Sequence, residues 1–376
     1  MTDKVTFGIL LDEFDNLGGT LRHSMPIKKT YIKDVERETD DNRYKWRVVE
    51  ERYLPNSRGT HCFRVAIEIR GNTKRLRIDG SIRKWLLGKT SVEDITQKQL
   101  SLFVKELAER LCLSDDIVWD RLIIYNTEIG YNFFTNLRWE DFVKHCVQYG
   151  RTKERIDYDN RNECLYWNGD DKSLKMYNKS KEMPANINNQ ALKSTAENIV
   201  SNLKSKGLTL CRIEVTFDDK HSFQKYGLSQ ISTLRDIYRN WYNLHLLLTK
   251  EIAKIMIESK VYISENMSLR QREIAQIINK SWTSTNAVKR LAKEFYNSDE
   301  NRARRQVYAI MNEYSSPKDY SIRAFRKTIA KRLIWIDRNR EKLPLNDLFH
   351  ILWRTNKGRK LKPVSYTHLT LPTNRE

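Results

Sequence analysis

Nothing in the 376 residues approaches the roughly 18 consecutive apolar residues that a bilayer-spanning helix needs. The opening MTDKVTFGILLDEFD lacks a basic flank followed by an apolar signal core. A membrane-spanning or obviously secreted protein is therefore not expected. Cysteine is sparse: the five, Cys62, Cys112, Cys146, Cys164 and Cys211, include no C-x-x-C pair that could form half of a zinc site, so they read as idle or buried thiols in a reducing cytosol. The seven histidines contain no pair at i, i+2 or i, i+4, which removes a visible histidine metal motif. The first 170 residues also have almost no net charge.

What is present is a large excess of cations further along. Lys and Arg number 68 against 48 Asp and Glu, a formal net charge of +20, and residues 171–376 carry +19 of it. Residues 301–362 alone hold 17 basic and 5 acidic side chains, interleaved with Tyr308, Tyr320, Phe325, Trp335, Phe349 and Trp353. Lysine and arginine displace condensed counterions from phosphates and aromatic rings stack on bases, so the pattern points to nucleic acid. The plainer alternative is a set of solvated basic helix faces. Candidate DNA contacts are Lys289, Arg290, Arg304, Arg305, Arg326, Lys327, Lys331 and Arg332.

Periodicity divides the chain. Short β-branched and aromatic runs predict strands over 4–11, 45–53, 62–70, 74–79, 121–134, 164–168, 173–178 and 208–217. Helical spacing appears over 96–112, 138–149 and 190–204, with 183–190 as a surface loop. From about residue 230 long amphipathic runs take over: 231–259, 269–279, 284–296, 303–313 and 321–339. The expected fold class is α+β, an antiparallel-sheet domain with flanking helices over 1–230, followed by a mostly helical basic domain over 231–363. Within the latter, residues 269–279 and 285–292 have the look of a helix-turn-helix, although two ordinary packed helices would give the same pattern. Residues 364–376, ending SYTHLTLPTNRE, fit nothing before them and read as a non-native tail.

Four segments carry the chemistry: Leu76-Arg-Ile-Asp-Gly-Ser-Ile-Arg-Lys-Trp-Leu-Leu-Gly88, Tyr125-Asn-Thr-Glu-Ile-Gly-Tyr-Asn-Phe133, Lys175-Met-Tyr-Asn-Lys-Ser-Lys-Glu182 and Leu210-Cys-Arg-Ile-Glu-Val-Thr-Phe217. Strand alternation puts Arg212 and Glu214 on one face, away from Cys211 and Ile213. A guanidinium and a carboxylate together on a sheet face need a partner or a task. Their order and spacing resemble the replication initiators of filamentous phages and related phage and plasmid replication proteins, the rolling-circle nickases of the gene-II type.

The resemblance implies that Tyr177 is a nicking tyrosine, which attacks a DNA phosphodiester and retains the 5′ phosphate as a phosphotyrosyl bond. Lys175 and Lys179, alternating with Tyr177, would lower the phenol's pKa and hold flanking phosphates. Arg212 would bind a phosphate or simply pair with Glu214. Tyr226 is a second candidate nucleophile. Related nickases hold a divalent metal with a His-hydrophobe-His pair that is missing here, so carboxylates would bind Mg²⁺ or Mn²⁺, with Glu128 and Glu214 first, then Glu182, then Asp79. Origin DNA and host helicase, polymerase and single-strand binding protein are the implied partners, in the cytoplasm of a bacterial host, with no membrane. The alternatives are a non-enzymatic helix-turn-helix regulator of a phage or plasmid, and a mobilisation relaxase.

Overall fold

A computed structural model describes residues 2–21, 27–30, 46–137, 139–150, 164–168, 172–217, 222–223, 228, 231–257, 261–281, 284–314 and 322–353. The chain starts in strand β1 (Thr2–Leu10) and a short helix α1 (Leu11–Asn16). Strands β2 (Ile27–Thr30), β3 (Arg47–Pro55), β4 (Cys62–Arg70) and β5 (Thr73–Ser81) lead to helices α2 (Ile82–Leu87), α3 (Gln97–Leu111) and α4 (Asp115–Asp120). The long strand β6 (Ile123–Thr135), helix α5 (Trp139–His145), strands β7 (Cys146–Tyr149), β8 (Cys164–Asn168) and β9 (Lys172–Asn178), helices α6 (Lys179–Ala185) and α7 (Gln190–Ser205) and strand β10 (Thr209–Phe217) follow. The chain continues through α8 (Leu234–Arg239), α9 (Trp241–Ala253), β11 (Ile255–Ile257), α10 (Leu269–Lys280), α11 (Ser284–Phe295), α12 (Glu300–Tyr314), α13 (Ile322–Asn339) and α14 (Leu345–Leu352).

Nine strands form one sheet in the order β2-β3-β4-β5-β1-β6-β10-β9-β8, and every neighbouring pair is antiparallel. The α+β expectation holds. Alternation explains the two faces of the central strands. Val5, Phe7 and Ile9 of β1, Ile129, Tyr131 and Phe133 of β6, and Cys211, Ile213 and Val215 of β10 are buried in one apolar core. Phe103 of α3 stacks there on Phe7 at 6.4 Å between ring centroids, and Phe325 of α13 meets Phe133 edge-on at 6.2 Å.

The long apolar run at 231–259 is not one helix. The chain breaks at Asn240 and ends in β11, which pairs with β7, so the expected helix over 138–149 likewise stops at His145. The loop expected at 183–190 begins inside α6, where Met183 is buried. The helices after Leu234 divide between two apolar cores. Those of α8, α9, α13 and α14 join the sheet's core, whereas α10, α11 and α12 close around a separate one. Among the described residues no helix is long and apolar enough to cross a membrane. The expected tail at 364–376 lies outside the described residues.

A buried polar tie holds the carboxyl-terminal helices to the sheet. The Tyr131 hydroxyl and His245 Nδ1 are 2.6 Å apart, and His245 Nε2 lies 3.2 Å from Glu341 Oε2, which also accepts the Trp241 indole N–H at 2.8 Å. Burial holds the His245 imidazole below its ordinary pKa, the neighbouring Glu341 carboxylate opposing the shift. The unfolded chain therefore takes up this proton first, and the stability that His245 contributes is lost as pH falls below about 6.5. His61, pulled down to about 4 by burial and by Lys84 and Lys89, acts with the same sign. The contribution of His245 is isolated by comparison with His245→Gln. Between about pH 7.5 and 5.5 the urea midpoint of the wild type is expected to fall more than that of the variant; parallel falls would show that His245 is not the responsible group.

Candidate active site

The polar face of the central strands carries a buried ionic cluster, and register assembles it. Arg212 on β10 stands opposite Tyr177 on β9 and Asn132 on β6, while Glu214 stands opposite Lys175 and Gly130. Directly opposed residues of antiparallel strands share a face, so these side chains are neighbours by construction. Glu128, two residues before Gly130 on β6, continues the row.

The third carboxylate comes from β1. Simple alternation would put Asp3 with Val5 and Phe7 on the apolar face. The pairing of β1 with β6 shifts register between Thr2 and Val5, an interval that brackets Asp3. Such irregularities re-aim a side chain. Asp3 accepts a hydrogen bond from the Ser81 hydroxyl and is ion-paired with Arg83 at 3.2 Å and Arg212 at 2.8 Å. Ser81 also caps α2 by accepting the Lys84 N–H at 3.0 Å, so the strand-to-helix turn after Gly80 serves both the helix and the cluster. Oxygen atoms of Asp3, Glu128 and Glu214 lie within 4.8 Å of one another.

Beyond Ile129, β6 has no β1 residue paired to it. The 92–94 segment fills that edge: Asp94 accepts the Asn132 N–H at 2.9 Å, and the Asn132 side-chain amide donates to the Val92 carbonyl at 2.9 Å. Asp94 is clamped by Arg212 at 2.8 Å and by Arg332 of α13 at 2.9 Å. Arg212, fully buried, thus faces Asp3, Asp94 and Glu214 together and donates to Asn132 at 2.8 Å.

Charge in this cluster closes in a definite way. Three arginines, Arg83, Arg212 and Arg332, face three carboxylates, Asp3, Asp94 and Glu214, each of which is held below the ordinary carboxylate range by those guanidiniums against the cost of burial. Glu128 is the fourth acid. Burial and the adjacent Glu214 and Asp3 push its pKa well up. Lys179 is the fourth base, and burial together with Arg83 and Arg212 pushes its ammonium well down. In both extra groups burial and like charges shift the balance toward the neutral form.

Tyr177 lies at the mouth of this cluster, half-buried, with its hydroxyl donating to Glu214 Oε1 at 3.2 Å. Lys175 Nζ rests over its ring at 4.8 Å. Burial, with Glu214 next, raises the phenol pKa well above its ordinary value. Lys179 does not alternate with Tyr177 along the strand as expected. The reason is local: β9 ends at Asn178, so Lys179 opens α6 and sends its amine to Asn132 Oδ1 at 3.1 Å.

The other expected residues separate. Glu128 and Glu214 meet, but Asp79 is committed elsewhere, accepting from Thr6 Oγ1 at 2.5 Å and paired with Arg77 at 3.1 Å and Arg64 at 3.7 Å. Glu182 is close enough to Tyr177 to raise its pKa, while its carboxylate accepts the Asn186 amide at 2.7 Å, outside the three-carboxylate group. Arg326 and Arg332 are buried: Arg326 donates to the Ala253 carbonyl at 3.3 Å and Arg332 holds Asp94, so neither faces solvent for DNA. Lys289, Arg290, Arg304, Arg305, Lys327 and Lys331 are exposed. Tyr226 lies outside the described residues. Sequence reasoning missed Asp3, Asp94, Asn132 and Arg83; Arg83, in the quoted Leu76–Gly88 segment, and Asn132, in the quoted Tyr125–Phe133 segment, stood within recognised motifs, whereas Asp3 and Asp94 did not.

Gly130 makes the crowding possible. A Cβ there would stand 2.5 Å from the Ile213 carbonyl oxygen and 2.9 Å from Glu214 Cγ. Gly130→Ala must therefore push β10 or displace the Glu214 side chain, and a loss of about 1–3 kcal/mol in urea denaturation is expected. An unchanged midpoint would mean that the strands part without cost.

The antiparallel sheet thus holds a tyrosine beside three clustered carboxylates. The family described as the amino-terminal region of the phage gene-II replication-associated protein matches residues 1–237, and the chain belongs to it. Its role is thus in the initiation of phage DNA replication, for which it binds DNA at the origin. No curated protein and no solved structure matches the chain.

Proposed function

We propose that the protein initiates rolling-circle replication by a metal-dependent, strand-specific nick at the origin, with Tyr177 as nucleophile. The observation that supports this most is the half-buried Tyr177, whose hydroxyl is hydrogen-bonded to Glu214 of the Asp3, Glu128 and Glu214 group. The phenolic oxygen would attack the scissile phosphorus and give up its proton to water, with Glu214 orienting the hydroxyl through the hydrogen bond it accepts. The bond from phosphorus to the 3′ oxygen would break, the leaving oxygen taking a proton from water, to give a 3′-hydroxyl primer and a 5′-phosphotyrosyl linkage. The linkage conserves the bond energy for rejoining the displaced strand into a circle.

The donor set fits a hard divalent cation. Three carboxylates converge with oxygens within 4.8 Å, and burial with the like charges of Glu214 and Asp3 raises the Glu128 pKa, a repulsion that a cation between them would relieve. Asp3, Glu128 and Glu214 would hold Mg²⁺ or Mn²⁺, which when bound would polarise the phosphate and neutralise developing charge. Arg212 and Arg83 orient Asp3 and Glu214 and, being buried among them, act as positioning residues. Host polymerase, helicase and single-strand binding protein are the partners that a 3′-hydroxyl primer and a displaced strand require. The family's role in phage replication favours this reading over a mobilisation relaxase.

The test is to incubate the protein with supercoiled DNA carrying its own gene and flanks, with and without Mg²⁺ or Mn²⁺. Nicked circle after protease treatment, and DNA-linked protein before it, are expected only with metal. Nicking that survives chelation would sink the metal assignment, and nicks without linked protein would sink the covalent one.

A further inference from the structure

The three helices α10, α11 and α12 form a unit that stands apart from the carboxylate site. Its core is its own: Ile274, Ala275, Ile277 and Ile278 pack on Ala287, Val288, Leu291 and Ala292, and on Ala303, Val307 and Ile310. The unit is also closed on itself. Val261 exchanges two hydrogen bonds with the Asn279 side chain, at 2.9 and 2.8 Å, and the Tyr262 N–H donates to the Tyr314 carbonyl at 2.8 Å. The chain therefore enters and leaves at one place, between β11 and α13, both of which belong to the sheet's core.

Within the unit, α11 has a divided surface. Ala287, Val288, Leu291 and Ala292 are buried, while Thr285, Lys289 and Lys293, at i, i+4 and i+8, make one exposed line along the helix. Arg290 lies beside them, paired with Glu294 at 2.6 Å. Exposed Arg304 and Arg305 on α12 extend the cationic surface. A second observation is independent of charge. Of the nine large apolar side chains exposed among the described residues, five, Tyr262, Ile263, Leu269, Phe295 and Tyr308, belong to this unit.

We propose that residues 261–314 are a separate duplex-DNA-binding unit, with the Thr285, Lys289 and Lys293 line of α11 lying in the major groove. A helix of about 10–12 Å overall diameter fits a groove about 12 Å wide. Lysine and threonine are donors and acceptors suited to guanine and phosphate edges, and the cationic surface is complementary to the duplex. The unit would bring the origin to the protein, while strand cleavage takes place at the sheet. The inference does not require the nicking reaction, because it concerns binding alone.

The test uses the full chain carrying Tyr177→Phe, without divalent metal, and a library of random-sequence duplexes. Bound duplexes are selected and read out, and the enriched duplex is then titrated with the protein carrying Lys289→Glu and Lys293→Glu in addition. An enriched sequence, guanine N7 methylation that blocks binding, and a loss of affinity of about tenfold or more in the double variant are expected. Milder Lys289→Ala and Lys293→Ala forms, checked by urea midpoint, guard against unfolding and should weaken binding while flattening its salt dependence. The proposal is overturned if no duplex is enriched, if methylation at N7 is without effect, or if folded variants bind the duplex within about twofold of the parent. Capture of another protein by this face, with no duplex bound, would likewise overturn it.

Discussion

Tyr177→Phe is expected to abolish both nicked circle and DNA-linked protein, a fall on the order of 10³-fold or more, while leaving the fold and DNA binding in place. The substitution removes only the hydroxyl. Its single hydrogen bond, to Glu214 at 3.2 Å, contributes about 1 kcal/mol to stability, and the half-buried ring keeps its place under Lys175. Activity and stability therefore separate in this variant. The phenol's raised pKa sharpens the argument: burial and Glu214 keep it neutral in the free protein, so a route for its proton must exist in the reacting complex. Nicking at an undiminished rate by the Phe variant would remove Tyr177 as nucleophile and direct attention to Tyr226.

The largest effect on stability is expected at Arg212. Removing its charge with Arg212→Met strands Asp3, Asp94 and Glu214 in a buried setting, at a cost of about 3–5 kcal/mol. Arg212→Lys keeps the charge but loses the planar fork that faces several acceptors at once, and an intermediate cost is expected. The urea midpoint decides the matter. A Met variant within about 1 kcal/mol of wild type would mean that the carboxylates simply protonate and that the ionic cluster is dispensable for folding.

The residues of the sheet wrote much of this fold in plain form. Period-2 alternation located the central strands and put Arg212 and Glu214 on one face, because they belong to a regular ladder; that Tyr177 stands opposite Arg212 is a matter of register between strands. Asp3 was illegible for the opposite reason. Alternation assigns it to the core, and only a shift in pairing between two distant strands re-aims it. Asp94 sits in a loop whose role is to fill an open strand edge, a need that no local pattern announces. Arg326 and Arg332 look like solvated helix cations, yet the face they occupy is decided by what α13 packs against. The run at 231–259 reads as one helix because apolar periodicity continues across Asn240; the chain turns there to reach β7.

The closed ends of the three-helix unit bear on how such a protein can change. Tyr262 and Tyr314 are one hydrogen bond apart, so from the viewpoint of β11 and α13 the intervening helices resemble a cassette in a fixed frame. Insertions, deletions or wholesale replacement between those two residues leave the spacing of the frame untouched. Arg332, by contrast, reaches from beyond the cassette into the Asp94 clamp, so the buried ionic cluster depends on chain that lies on both sides of it. On the proposed reading, target choice would pass between elements as one contiguous stretch of coding sequence, while the strand-cleaving machinery would be inherited in two pieces that must stay matched.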